Sequence, residues 1–336
     1  MKKNSITIKL MSIILATVMV FVAAGCTTQP KQEIQPESLE KVTVVLDWTP
    51  NTNHTGLYVA DEKGFFKEHG LEVEIIQPSE GTSDTIVASG KAQFGISYQE
   101  SVTYARAVDV PLVSIAAVIQ HNTSGFASLK EKNIITPKDF EGKVYGGWGS
   151  EMEEATIRYL MEQAGADFSK VTIMTTGDAD FFQASATGQI DFAWIFEGWA
   201  GIEAKQKGME LNYIDLGKEA PVFDYYTPVI ITNETTLKEE KTLVEAFMKG
   251  VKKGYEYAIK NPEDAADILI KEVPEINSEL VIESQKFLSE RYQADAATWG
   301  LQKDEVWQRY TDWMFENGFI DKKIDVTKAY TNDFID

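Results

Sequence analysis

Residues 43–76, TVVLDWTPNTNHTGLYVADEKGFFKEHGLEVEII, place an apolar strand, a polar turn and a helical pattern in immediate succession. Val42, Val44, Val45 and Leu46 form the apolar run. It stops at Asp47-Trp48 and passes through Thr49-Pro50-Asn51-Thr52-Asn53 into a helical pattern that ends at Gly64. In a doubly wound α/β domain, loops at the carboxyl ends of strands are where small molecules bind. Asp47, Trp48, Asn51, Asn53 and His54 are therefore candidate ligand contacts. Asn53 is expected to cap the helix, leaving free N–H groups and a positive dipole end for an acceptor-rich ligand. The competing reading makes Trp48 a core residue and the asparagines turn formers, because large aromatics are usually mostly buried.

Outward from this segment, strand-like and helix-like stretches alternate, which argues for α/β layers. Strands are expected at 42–46, 71–76, 94–97 and 112–119, then at 144–146, 171–175, 192–195, 211–215 and 229–231. Helices are expected at 54–63, 83–89, 101–107, 151–164, 179–186 and 202–207, and the chain turns helical after Ile231. Gly81-Thr82-Ser83-Asp84 leads a helix into the strand at Phe94, and Gly177-Asp178-Ala179-Asp180 leads one into the strand at Phe192. This weak repeat suggests two similar lobes, with Gln99 and Glu197 on comparable strand-end loops facing one cleft.

The amino terminus carries Lys2, Lys3 and Lys9, an apolar stretch from Leu10 to Ala24, and then Gly25 and the single cysteine, Cys26. Residues 1–25 read as a secretory signal peptide. Val22-Ala23-Ala24-Gly25-Cys26 resembles a lipobox in which Ala23 replaces the more usual leucine, so Cys26 is the expected lipidation site. Residues 26–40, with two prolines and no aromatic, read as a flexible tether. Loss of residues 1–25 removes three lysines and no acid, taking the net charge from −20 to −23. Nucleic acid and anionic headgroups are poor partners for such a surface. Membrane attachment is expected through lipid on Cys26 alone.

No enzyme motif is present: there is no phosphate-binding glycine loop with a following lysine, no G-x-S-x-G elbow and no H-E-x-x-H. With three histidines and one cysteine, metal clusters are not expected. Aromatic and amide groups instead gather at loop positions: Tyr98-Gln99-Glu100-Ser101, Gly146-Gly147-Trp148-Gly149-Ser150, Trp194-Ile195-Phe196-Glu197-Gly198-Trp199 and Asp224-Tyr225-Tyr226. Aromatic faces stack on a flat ring, and a carboxylate such as Glu197 accepts hydrogen bonds from exocyclic amino groups. The combination suits a planar, nitrogen-rich heterocycle, although a sugar also stacks on tryptophan. Trp194 reads as core, Trp199 as either packing or cleft, and Ser150 as a ligand contact or a helix cap. The acidic run Glu151–Glu154 stabilises a helix start without further function.

The run Leu46-Asp47-Trp48-Thr49-Pro50-Asn51-Thr52-Asn53-His54-Thr55-Gly56-Leu57-Tyr58, with Gly64-Phe65-Phe66 and Gly70-Leu71-Glu72-Val73, resembles the substrate-binding proteins of ABC transporters related to thiamin pyrimidine synthase. Gly146–Ser150 and Glu197-Gly198-Trp199 belong to the same resemblance. It is similar in particular to lipoproteins that capture formylaminopyrimidine for thiamin salvage. The resemblance implies a bilobal type II periplasmic-binding-protein fold, with two α/β lobes around a ligand cleft. Residues 41–124 and 228–336 would form lobe 1 and residues 125–227 lobe 2. It implies capture of formylaminopyrimidine or hydroxymethylpyrimidine at the outer face of the cell membrane, by a monomer without cofactor. Delivery would go to a permease driven by a cytoplasmic ATPase. Trp48 and either Tyr225 or Tyr226 would sandwich the pyrimidine, with Asp47 or Glu197 meeting its amino group. Relatives that bind riboflavin, and relatives that are pyrimidine synthases with a cysteine-rich iron motif, are the alternatives. That motif is missing from a chain with one cysteine.

Overall fold

The computed structural model describes residues 39–78, 81–177 and 181–335. The expected signal peptide, Cys26 and nearly all of the tether lie outside these residues, as do Asp178, Ala179 and Asp180 of the second repeat.

The chain first builds β1 (Glu40–Val45), α1 (Thr55–Glu62), β2 (Leu71–Ile76), α2 (Ser83–Ala88), β3 (Phe94–Ser97), α3 (Gln99–Ala107) and β4 (Leu112–Ala117). It then crosses to β5 (Ser124–Leu129), β6 (Val144–Gly147), α4 (Glu151–Gln163), β7 (Thr172–Thr175), α5 (Phe181–Ala186) and β8 (Phe192–Phe196). A π-helical turn, Glu197–Gly201, leads to α6 (Ile202–Gln206), β9 (Leu211–Asp215) and α7 (Leu216–Glu219). A second crossing returns to β10 (Val229–Asn233), followed by α8 (Glu234–Glu239), α9 (Lys241–Lys260), α10 (Pro262–Glu272), α11 (Ser278–Ser289) and α12 (Asp304–Glu316).

Two five-stranded sheets result, ordered β2-β1-β3-β10-β4 and β7-β6-β8-β5-β9. In each, four strands run the same way and one, supplied by a crossing, runs against them: β10 between β3 and β4, and β5 between β8 and β9. The repeat is therefore real at the level of topology, since α2–β3 and α5–β8 hold the same place in their sheets and Phe94 and Phe192 both open the central strand. Strand β5 has only Phe126 and Leu129 as large apolar residues, separated by small ones, which is why no apolar run announces it. Every residue of Ser124–Ser128 is nonetheless buried.

Hydrophobic burial explains the layers. Val42, Val44 and Leu46 pack with Leu57, Phe247, Val251 and Trp299 in the core between sheet 1 and the carboxyl-terminal helices. Helices α1 and α9 approach closely at Gly56 and Gly254. A Cβ on Gly56 would strike the Tyr255 ring, and one on Gly254 would strike the Gly56 carbonyl. Only glycine allows backbones that near. The second sheet has its own core around Phe126, Phe140, Tyr145, Ile157 and Phe192.

Assigning all of 228–336 to lobe 1 does not hold for α12. Trp307 packs with the first sheet, whereas Tyr310, Trp313 and Met314 pack in the core of the second. The segments flanking α12 return to the first sheet, with Gly300 bridging Ala117 and Tyr330 bridging Ser114. Helix α12 thus spans the two lobes. Among the described residues, no helix is long and apolar enough to cross a membrane.

Candidate functional site

The loop after β1 is built by local turn chemistry. Asn51 Oδ1 accepts from the Asn53 N–H at 2.8 Å, its amide donates to the Thr49 carbonyl at 2.9 Å, and its backbone N–H donates to His54 Nδ1 at 3.2 Å. With Nδ1 accepting, Nε2 carries the proton and donates to Asp47 Oδ1 at 2.7 Å. The Tyr98 hydroxyl donates to Asp47 Oδ2 at 2.6 Å. Burial would raise the Asp47 carboxyl, but the hydrogen bonds from His54 and Tyr98 outweigh it and hold the group below its ordinary range. Tyr98, raised by burial and by Asp47, remains a neutral donor.

These contacts correct several expectations. Asn51, not Asn53, caps a short 3-10 turn, Thr52–His54, ahead of α1. Asn51 and His54 are buried supports for Asp47, and the Asn53 carbonyl accepts from Tyr255 at 2.6 Å. Each carboxylate oxygen of Asp47 already accepts one hydrogen bond, so the group is braced between His54 and Tyr98. Trp48 stands 55% exposed, which removes the core reading.

Facing this edge is the loop after β6. Gly149 sits at φ +87°, a backbone region that glycine tolerates. Glu153 ties the loop down: its carboxylate accepts from Tyr145 Oη at 2.5 Å, Trp148 N at 3.1 Å and Ser150 N at 2.9 Å. Ser150 closes a capping box with Glu153, so the cap reading holds while the residue also lines the cavity. Trp148, 52% exposed, projects from the same turn.

The loops of the two sheets enclose a cavity of about 1230 Å³, walled by Tyr98, Glu100, Trp148, Ser150, Trp194, Phe196 and Tyr225 among others. Of the adjacent tyrosines, Tyr225 faces it, its ring 4.2 Å from that of Tyr310. Tyr226 turns away, packs with Val229 and Trp307, and accepts from Lys303 N at 3.0 Å. Trp48 is not in this wall, whereas Tyr225, the other half of the expected sandwich, is. Trp194, read as core, packs edge-on against Phe126 and also lines the cavity.

Gln99 and Glu197 do not meet there. Gln99 is fully buried, accepts from Tyr226 N at 2.9 Å and donates to the Val306 carbonyl at 3.3 Å, bracing the second crossing. Glu197 lines a separate, smaller hollow with Lys205, Tyr213 and Phe287. Burial raises its carboxyl against the pull of Arg291 and Lys218. Ser284 of α11 donates to the Gly198 carbonyl and shares a 2.6 Å hydrogen bond with Thr52 Oγ1, and Trp199 packs beside Ala266 and Leu269. The Glu197-Gly198-Trp199 turn thus docks lobe 2 on the helices of lobe 1.

The sequence reading missed the cavity's charge. Its wall contains Asp84, Glu100, Asp109, Glu151 and Glu153, and among the described residues no lysine, arginine or histidine. Asp84 is raised by burial and accepts from Ser97 Oγ at 2.5 Å. Both Asp84 and Glu100 lie in the first turn of a helix, where acids are common for dipole reasons alone, so neither stood out. Anions are disfavoured in such a wall, and flat donor-bearing or cationic ligands are favoured.

The chain is 30% identical over 335 residues to the formylaminopyrimidine-binding protein of Halalkalibacterium halodurans, covering 96% of this chain and 98% of that one. It is 25% identical over 298 residues to the 4-amino-5-hydroxymethyl-2-methylpyrimidine phosphate synthase of Legionella pneumophila, covering 88% and 92%. The fold is shared with the periplasmic aliphatic sulphonate binding protein SsuA of Escherichia coli, at a TM-score of 0.69 and 14% identity over 87% of this chain and 97% of that one. The family model described as NMT1/THI5 like matches residues 51–265, from the capped turn that supports Asp47 to the third residue past the start of α10. With that span inside a two-lobed periplasmic-binding-protein scaffold, the chain belongs to the NMT1/THI5 like family.

Proposed function

We propose that this protein captures a thiamin-related aminopyrimidine, formylaminopyrimidine or hydroxymethylpyrimidine, outside the cytoplasm and delivers it to an ABC importer. The observation that carries this reading is the cavity wall, which holds aromatic side chains and carboxylates and, among the described residues, no lysine, arginine or histidine. A flat ring gains stacking from Trp148 and Tyr225, and its amino group finds carboxylate acceptors in the wall. A phosphate or sulfonate would face this acidic wall, which disfavours a sulfonate ligand despite the shared fold.

Capture requires no covalent step. The two lobes, which we place at 41–117 with 229–300 and at 124–223, would close on the ligand by shifting a pre-existing equilibrium through contacts from both sides. Helix α12 and the two crossings act as the hinge in this scheme. Lipid on Cys26 would hold the protein, as a monomer, at the membrane beside its permease and ATPase. A pyrimidine synthase is the weaker reading: its named relatives lie at lower identity than the binding protein, and a chain with one cysteine lacks the iron motif of the yeast-type enzymes. The cavity is large enough for a flavin, so riboflavin belongs in the same experiment.

Calorimetric titration with formylaminopyrimidine, hydroxymethylpyrimidine, thiamin and riboflavin tests the proposal. An aminopyrimidine is expected to bind with a dissociation constant under roughly 10 μM, about −7 kcal/mol. Binding of riboflavin alone, or of nothing, would overturn it.

A further inference from the structure

We infer that Glu100 is the residue that reads the ligand's amidine edge, the ring nitrogen and exocyclic amino group together, through a two-point contact holding one shared proton. This rests on the aminopyrimidine reading above and assigns its specificity to a residue other than Asp47 or Glu197.

Three observations carry it. Asp47 lies outside the cavity wall, and each of its oxygens already accepts a hydrogen bond, one from His54 and one from Tyr98. Glu197 lies outside the cavity wall. Glu100 lies in the wall, at the second residue of α3, and its Oε2 is shut off from solvent without a hydrogen-bond donor. An unpaired buried carboxyl oxygen costs about 1–3 kcal/mol or more, a cost relieved when the carboxyl turns toward a ligand donor in the cavity.

The surroundings fix its chemistry. Asp84 of α2, Tyr98 ahead of α3, Tyr225 of the second crossing and Tyr310 of α12 are the titratable groups in electrostatic reach of Glu100. Glu153 of α4 lies in the same wall, and among the described residues no lysine, arginine or histidine does. Burial pushes the Glu100 carboxyl up to about 7, with Asp84 adding to the rise against the pull of Glu100's own backbone N–H. Near neutrality the group therefore holds or releases a proton at little cost. As an acid it donates to the ring nitrogen and accepts from the amino group. As a carboxylate it accepts from both the protonated ring and the amino group. The two forms differ only in where one proton sits, so the pair titrates as a unit. A 4-oxo pyrimidine, which presents a carbonyl in place of the amino group, cannot satisfy the carboxylate form.

The test compares formylaminopyrimidine binding across pH 5.5–8.5 for the wild type, Glu100→Gln and Glu100→Leu. The wild type should weaken at least tenfold from pH 6.5 to 8.5, as the shared proton is lost. Glutamine can pair with a neutral amidine edge but carries no titrating proton. Glu100→Gln should therefore bind several-fold more weakly at pH 6.5 and show a flat profile. Glu100→Leu should lose at least thirtyfold in affinity while melting no lower than the wild type, because it removes an unpaired buried oxygen. Wild-type binding that neither substitution changes in strength or pH profile overturns the assignment of Glu100 alone. Failure of the wild type to bind any aminopyrimidine overturns the ligand reading with it.

Discussion

Trp48 and Trp148 occupy equivalent places in the two lobes: each lies just past the end of the strand second from the sheet edge, β1 and β6, and each leaves about half its surface in solvent. Two large exposed indoles at matching strand ends are unusual for residues that add nothing to a core. Alanine at Trp148 should weaken aminopyrimidine binding by roughly 1–3 kcal/mol, the range for a ring stacked on an aromatic side chain, with little change in melting temperature. Alanine at Trp48 should do the same only if lobe closure brings it to the ligand. Intrinsic fluorescence titration of the two variants separates these cases: an unchanged response in Trp48→Ala would leave Trp148 as the sole platform.

Asp47 is a stability element whose effect depends on pH. Its carboxyl is held below 3.8 by His54 and Tyr98 against the opposing effect of burial. Its contribution is therefore fully present above that value and is lost as pH falls through the lower, folded-state value. Asp47→Asn should destabilise the protein by about 1.5–3 kcal/mol at pH 7, the range for hydrogen bonds to a charged group. The deficit relative to the wild type should shrink in acid. Urea unfolding at pH 7 and pH 3 measures both, and an equal deficit at the two values would show that the carboxylate charge is not the cause.

His121 joins the two crossings to the carboxyl-terminal segment. Its Nδ1 and Nε2 lie 2.8 Å from Asp224 and 2.9 Å from Asp295. The hydrogen bond to Asp224, opposed by burial and supported by Asp295, raises the imidazole from 6.5 to about 9. A raised folded-state value means the stabilisation is complete below pH 6.5 and disappears as pH rises through about 9. The site is half exposed, so the effect is modest. His121→Gln should lower the urea midpoint at pH 6 and converge with the wild type at pH 9.5.

What was legible in the sequence followed from local chemistry. The Asp47–His54 loop could be placed because strand, turn and helix signals adjoin within a dozen residues. The paired sheets were visible in the Phe94 and Phe192 repeats, because a helix–glycine–strand unit writes its own pattern. Gln99 and Glu197, expected to face one cleft, lie apart, and the reason is the opposite one. Their surroundings come from Tyr226, Val306, Ser284 and Phe287, residues far along the chain whose approach no spacing encodes. Glu100 and Asp84 were overlooked because an acid in a first helical turn has a sufficient local explanation. Helix α12 looked like one more amphipathic helix, and only its two packed faces, Trp307 on one lobe and Trp313 on the other, show that it links them.

Glu153 offers the sharpest test of how the glycine loop is held. Its carboxylate is buried and takes donors from Tyr145, Trp148 and Ser150, joining the floor of β6, the exposed indole and the start of α4. A Cβ at Gly147 would collide with that carboxylate and with the Tyr145 ring, so the loop and the acid fit only as a pair. Glu153→Ala would strand the buried Tyr145 hydroxyl and release two backbone donors, at a cost of about 3 kcal/mol. Glu153→Gln keeps the shape but exchanges one acceptor oxygen for an NH2 group, and should cost less. If Trp148 binds ligand from a position set by this acid, Glu153→Gln should weaken aminopyrimidine binding more than its small loss of stability accounts for. Calorimetry and thermal melting on the same preparations decide the point: a stability loss with unchanged affinity would confine Glu153 to capping α4.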